Sequence, residues 1–229
     1  MSGGWSAPDE ATTTYDQLID NLMIGQQFLQ KEFELQPKVS WQIDAFGLSS
    51  GYARLAHDVG FEALFFSRVD IHEKEWLRKN KKKTMVWRPN QENFGKQKDV
   101  LALNIDQGGV LGSYCWPAGF WADTNYLIDT PIILSKDHPK YKFDQQVRAF
   151  YEGMVQHFDM ERTNHAFRTF GCDMAFADAK LNYKIMDELI KVWNELGFGE
   201  DMEIRYSTPT RYINIIKDIN AERQNQTGF

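Results

Sequence analysis

The chain has 229 residues, 42% of them hydrophobic and 25% charged, with a formal net charge of -6 at pH 7. That length holds one large α/β domain or two small ones, while the acidic balance argues against nucleic acid, whose phosphates select a basic face. No stretch approaches the roughly eighteen apolar residues of a membrane span, and the two cysteines, Cys115 and Cys172, allow at most one disulfide.

Residues 1–14 are rich in Gly, Ser, Thr and Pro and read as loop, with neither the basic start nor the apolar stretch of a signal peptide. Leu18, Leu22, Leu29 and Phe33 then fall on one stripe and predict a helix over 15–33, with Thr14 as its cap. "KVSWQID" is a short strand ending at Asp44. Ala53, Leu55, Ala56 and Val59 give the next segment a helical period, which Gly60 stops. "FEALFFSR", residues 61–68, is a strand by length and by its Phe and Leu content. This alternation predicts a mainly parallel sheet with flanking helices.

The basic run Arg78–Lys83, "RKNKKK", reads as a solvated surface loop. "KTMVWRP" (83–89) and "VLALNID" (100–106) look like strands. "GGVLGSYCWPAGFWAD" is a long loop lacking the lysine and the strand-to-helix setting of a phosphate-binding loop. A helix is predicted over 142–157, a strand at "TNHAFRTFG" (163–171) and a helix over 177–196 carrying Ile185, Met186, Leu189, Ile190 and Trp193. A last strand follows at "DMEIRYST" (201–208). Pro209 opens the closing helix behind Ser207 and Thr208 as cap candidates. No repeat interrupts this order, so residues 1–229 read as one domain. An open doubly wound sheet and a (β/α) barrel fit the pattern equally.

In parallel α/β folds ligands lie beyond the carboxyl ends of the strands. Asp44, Arg68 with Asp70, Asp173, and Ser207 with Thr208 all fall at such ends. Two carboxylates from different strands, with an arginine nearby, are the raw material of glycoside hydrolysis, in which one attacks carbon or activates water and the other protonates the leaving oxygen. Bland readings stand beside this one. Asp44 reads equally as a helix cap, Asp173 is similar, Arg68 and Asp70 fit a surface pair, and His165 fits a hydrogen-bonded core histidine. No two of the five histidines are closely spaced, so any metal site would draw on scattered carboxylates and a distant histidine.

Five blocks say more: "GGWSAPDEATTTYDQLID", "WQIDAFGLSSGYARLAHDVGFEALFFSRVD", "YCWPAGFWAD", "RTNHAFRTFGCDMAF" and "YSTPTRYI". In this order and spacing, from about Gly3 to Ile213, they resemble the catalytic domain of glycoside hydrolase family 38, the zinc-dependent retaining α-mannosidases of lysosome and Golgi. The resemblance implies part of a (β/α) barrel-like catalytic domain and a lysosomal or secretory location. It implies Asp44 as nucleophile and zinc ligand, Asp173 as general acid/base, and Phe46, Arg68 and Tyr114 as substrate-binding residues. Trp5, Asp9 and Glu10 match the family's "GGW…DE" block, and Ser207 to Pro209 its "YSTP" block.

The departures are specific. The family's His-x-Asp pair, which supplies two zinc ligands, occurs nowhere in the chain, and the histidine that is its fourth ligand would lie past Phe229. Ala45 and Leu48 replace the proline and histidine of the usual "DPFGHS", and Met174 stands where Phe is usual. The expectation is therefore a catalytic-domain fragment acting on mannose-containing glycans, completed by missing segments or by a partner chain. Without the barrel's first strand, an apolar sheet edge should be left uncovered. The alternative is an inactive truncated homologue serving as a carbohydrate-binding or interaction module.

Overall fold

A computed structural model of the chain describes residues 1–105, 115, 117, 132–171 and 175–227, without the side chains of 223–227. Its contacts separate two compact units. One is drawn from Met1–Ser113, Met160–Phe167 and Thr208–Phe229, the other from Tyr114–Asp159 and Arg168–Ser207.

In the first unit, α1 (Tyr15–Phe33) opens with a reciprocal cap: Gln17 N–H donates to Thr14 Oγ1 at 3.4 Å, and Thr14 N–H donates to Gln17 Oε1 at 2.9 Å. Strand β1 (Val39–Gln42) leads through α2 (Ser50–Asp58) to β2 (Ala63–Phe66). Helix α3 (Ile71–Lys79), β3 (Thr84–Trp87), the single turn α4 (Gln91–Phe94) and β4 (Val100–Asn104) follow. The sheet order is β1-β2-β4-β3.

β1 pairs in parallel with β2 and β2 in parallel with β4, but β3 runs antiparallel to β4. The sheet is thus small and mixed rather than mainly parallel. The cause is the short link 88–99: it carries only α4 and returns the chain at the same end of the sheet, as a hairpin does, instead of crossing over it. Arg88 and Asp99 close the link with two parallel hydrogen bonds of 2.8 and 2.7 Å.

β2 is buried along its whole length, which is what the unbroken run Ala-Leu-Phe-Phe requires of a strand covered on both faces. On one face Leu64 packs with Leu18 and Leu22 of α1 and with Tyr52, Leu55 and Ala56 of α2. On the other, Ala63 and Phe65 meet Ile213 and Ile216 of α7 (Pro209–Thr227). Burying a side chain the size of Phe65 contributes about 2–3 kcal/mol, so α7, far away in sequence, is integral to this unit.

Residues 163–171 do not join the sheet, contrary to expectation. Phe167 instead lays its ring against Phe65, 5.5 Å between centroids, and Tyr212, 5.2 Å, so the segment covers the sheet through side chains. Residues 201–208 form no strand either. Helix α3 was not anticipated. It has few apolar residues, but Asp70 Oδ1 accepts from His72 N–H at 2.8 Å to cap it, and Leu77 anchors it in the core. Nor is "RKNKKK" wholly solvated: Arg78 and Lys79 end α3, and Lys83 is buried with its ammonium 2.6 Å from the buried Glu161 carboxylate.

The outer edge of β1 is engaged. Ser2 N–H donates to Val39 O at 2.7 Å, and Trp41 N–H donates to Ser2 Oγ at 2.6 Å, so a serine side chain stands in for a strand's carbonyl. The chain then crosses α1 at Gly25, where an added methyl would lie 2.3 Å from Gly3 O and from Gly4 C. This contact corrects the expectation of an uncovered edge.

The second unit packs α5 (Phe143–Phe158) on α6 (Ala179–Glu195). Trp193 is fully buried, meets Phe150 edge-on at 5.9 Å and donates its indole N–H to Met202 O at 2.7 Å. Cys115 is disulfide-bonded; Cys172 lies outside the described residues. No helix among the described residues is long and apolar enough to cross a membrane.

Candidate functional site

The parallel register of β1 and β2 builds the site. Gln42 stands opposite Phe66, an offset of 24 residues. Two residues further on the same offset brings Asp44 beside Arg68, whose Nε and Nη2 both reach Asp44 Oδ1 at 2.5 Å. The Arg68 guanidinium also lies over the Phe46 ring, 4.4 Å from its centroid. The pair is half open to solvent, with side-chain exposures of 49% for Asp44 and 45% for Arg68, and Phe46 is 72% exposed. An ion pair this exposed adds about 0–1 kcal/mol to stability. Its effect is to orient the carboxylate.

Three of the expected residues, Asp44, Phe46 and Arg68, thus meet at the carboxyl ends of adjacent parallel strands. Asp44 does not cap α2: that role belongs to Ser49, whose Oγ accepts Tyr52 N–H at 3.0 Å. Asp70 is the helix cap described above, and Arg68 turns to Asp44. Thr208 Oγ1 accepts Arg211 N–H at 3.2 Å and serves as a cap of α7. His165 is half-buried rather than in the core, with Nδ1 2.8 Å from Asn164 Oδ1. Asp173 and Tyr114 lie outside the described residues.

Behind this exposed trio lies a polar cluster. Glu10 Oε1 accepts from Gln42 Nε2 at 3.1 Å, and Glu10 Oε2 accepts from Ser49 N–H at 2.7 Å. Gln42 Nε2 also donates to Pro8 O at 3.2 Å. Burial raises the Glu10 carboxyl above the usual range against the hydrogen bonds from Gln42 and Ser49, and neighbouring Asp9 adds to the rise. Burial likewise pushes the Tyr52 phenol up to about 12; its bond with Ser40 opposes this and the charge of Glu10 reinforces it. Glu10 belongs to the "GGW…DE" block, but the sequence shows no role for it, since its partners lie 32 and 39 residues away. Asp9 organises its own turn, accepting from Ala11 N–H at 2.9 Å, and Trp5 is exposed against the edge of Phe28.

A cleft of about 280 Å³ opens beside the same loop, lined by Leu48, Phe66, Val69, Leu77 and Trp87 among others; Asp44 is not in its wall. Among the described residues no three His, Cys, Asp or Glu side chains converge as a metal site requires. Asp44 is a single carboxylate facing a guanidinium, and this donor set does not by itself fit a catalytic zinc.

The sheet presents a carboxylate, a guanidinium and an exposed aromatic ring at its strand ends, the position at which α/β folds hold their ligands. Residues 1–227 match the model of the family described as "Glycosyl hydrolases family 38 N-terminal domain", and the chain belongs to that family. Among curated proteins, it is 33% identical over 223 residues to lysosomal alpha-mannosidase of Dictyostelium discoideum. It is 32% identical over 217 residues to alpha-mannosidase of Canavalia ensiformis and 30% identical over 217 residues to lysosomal alpha-mannosidase of Homo sapiens. These alignments cover 96%, 93% and 93% of this chain but 21% of each relative. The chain spans about a fifth of the length of the curated relatives it matches.

Proposed function

We propose that this chain is the central part of an α-mannosidase catalytic domain of (β/α) barrel type, which removes terminal α-linked mannose from glycans with retention of configuration once further segments complete it. One observation carries the reading. Strand register delivers Asp44 to Arg68 at the mouth of the sheet, in an open position with no capping duty. The Asp44 carboxylate attacks the anomeric carbon as the glycosidic C–O bond breaks, and Asp173 gives its proton to the leaving oxygen. Water then attacks the same carbon, Asp173 takes the water's proton, and the ester to Asp44 is cleaved. This division of labour calls for carboxyl groups about 5–5.5 Å apart.

Arg68 holds Asp44 oriented, Phe46 offers a ring face to the sugar, and Tyr114 lines the pocket. Zinc is the cofactor that family membership implies, with Asp44 as this chain's ligand and the rest of the ligand set contributed beyond the described residues. A lysosomal or secretory location follows from the same kinship.

A second reading, a sugar-binding module without turnover, draws on the 72% exposure of the Phe46 ring, a ready stacking face. Incubation of the chain, completed by the flanking segments of an α-mannosidase relative, with an activated α-mannosyl fluoride carrying a second, ring-deactivating fluorine separates the two. The first reading expects a covalent mannosyl adduct whose peptide maps to Asp44 and which Asp44→Asn abolishes. An adduct elsewhere overturns the assignment. Saturable mannoside binding without any adduct, lost in Phe46→Ala, selects the module.

A further inference from the structure

Loop 43–48 carries both Asp44 and Phe46, and it is anchored at each end. Gln42 closes β1 immediately before it, and Ser49 caps α2 immediately after it. One carboxylate spans the two anchors, with Glu10 Oε1 on the Gln42 amide at 3.1 Å and Oε2 on the Ser49 N–H at 2.7 Å. The segment bearing Glu10 also touches the loop directly, since a methyl at Gly47 would lie 3.4 Å from Ala11 Cβ.

We propose that Glu10 is a positioning residue, a clamp that holds the loop of Asp44 and Phe46 in register over the strand ends. It acts through Gln42 and Ser49 and contacts no substrate itself. Its importance for turnover rests on the reading of Asp44 as nucleophile, while its hold on the loop does not.

The clamp is expensive to maintain, which argues for a purpose. A half-buried carboxylate is satisfied here by two N–H donors and faces one other ionisable neighbour on its own segment, Asp9, which repels it. From β1 it faces the neutral Gln42 and from α2 Ser49 and the Tyr52 phenol. No cation is among these partners, so burial works against the charged form. A neutral amide of the same shape would hold the loop with less penalty but a weaker grip on Ser49 N–H, because charge-assisted hydrogen bonds are about twice as strong as neutral ones.

The test is hydrogen exchange on the intact 229-residue chain, without substrate, at several pH values and corrected for intrinsic chemical rates. Wild type, Glu10→Gln and Glu10→Ala are compared over a peptide covering 43–53, with β2 and β4 peptides as reference. In Glu10→Ala the 43–53 peptide exchanges about tenfold faster while β2 and β4 are unchanged, the loss of one charge-assisted bond. In Glu10→Gln most of the protection returns. Wild-type protection rises as the pH drops through the raised carboxyl range, because the closed site favours the protonated carboxyl, whereas Glu10→Gln stays flat.

Unchanged exchange of 43–53 in Glu10→Ala overturns the clamp. Should Glu10→Ala loosen β2 and β4 as well, the comparison of wild type with Glu10→Gln decides, and identical pH profiles overturn it. If mannoside turnover is present, Glu10→Ala lowers kcat about 10- to 100-fold at nearly constant KM, as a displaced nucleophile does. Slow exchange of 43–53 together with no turnover in any variant of the completed catalytic domain would defeat the mannosidase reading and leave the clamp standing.

Discussion

Gly25 is the sharpest point at which to test how the amino-terminal strip is held. A methyl there would sit 2.3 Å from Gly3 O, 2.3 Å from Gly4 C and 2.4 Å from Trp5 N. Ordinary contact needs about 3.5–4.0 Å. All three are backbone atoms, so no rotamer change relieves the clash and the strip must withdraw from α1 by more than an ångström. Withdrawal strains the bonds that fix it, Trp5 N–H to Asn21 O and Ser6 N–H to Asn21 Oδ1, both 2.9 Å. Overpacking costs about 1–3 kcal/mol, and each weakened hydrogen bond about 0.5–1.5. Against this, alanine in a helix gains about 0.8–1.0 kcal/mol over glycine. The clash wins, and Gly25→Ala should lose on the order of 2 kcal/mol, a drop of roughly 1 M in the urea midpoint. Gly153 in α5 is the internal control: a methyl there meets nothing within 4 Å, so Gly153→Ala should stabilise its helix by about 0.5–1 kcal/mol. If Gly25→Ala also raises the midpoint in urea titrations followed by tryptophan fluorescence, the crossing of strip and helix is not as described.

The buried ion pair should answer as buried charges do. Lys83→Met removes the ammonium facing Glu161 and should destabilise the first unit by about 3–5 kcal/mol, most of it recovered in the double variant Lys83→Met/Glu161→Leu, by calorimetry. Glu10 has a folded-state carboxyl value raised by burial. Its contribution to stability is therefore full below the unfolded value near 4.5 and is lost as pH rises through the folded value. Melting curves across that window should fall for wild type relative to Glu10→Gln as pH increases; parallel curves would refute the burial. Arg68→Ala should shift the melting midpoint little, since the exposed pair contributes about 0–1 kcal/mol, while removing α-mannoside binding or adduct formation at Asp44. Unaltered ligand binding would dismiss the arginine's role.

Features set by short-range signals could be read from the sequence, and those set by distant contacts could not. The span 15–33 and its Thr14 cap are local in origin, as is β2, whose four consecutive apolar residues admit few other states. The Asp44–Arg68 proximity was implied by the family resemblance alone, and the parallel register of β1 and β2 supplies its geometric cause. By contrast, "TNHAFRTFG" alternates ring and polar residues like a strand, yet Phe167 finds Phe65 and Tyr212 before any backbone partner. The antiparallel entry of β3 depends on the short link after it. Lys83 is buried against Glu161, which arrives from 78 residues away, and composition alone reads such a lysine as solvated. Glu10 carried a motif match but no visible task until Gln42 and Ser49 closed around it.

The first ten residues serve two purposes through one continuous strip. Ser2 occupies the lateral bonding row of β1, and Glu10 grips the turn that follows the same strand. Proteolytic release of the strip would therefore bare a strand able to recruit its counterpart from another molecule and slacken the acidic turn in the same event. Oligomer growth and faster amide exchange of residues 43–53 should then share one time course, governed by a single peel-away step rather than by two independent injuries.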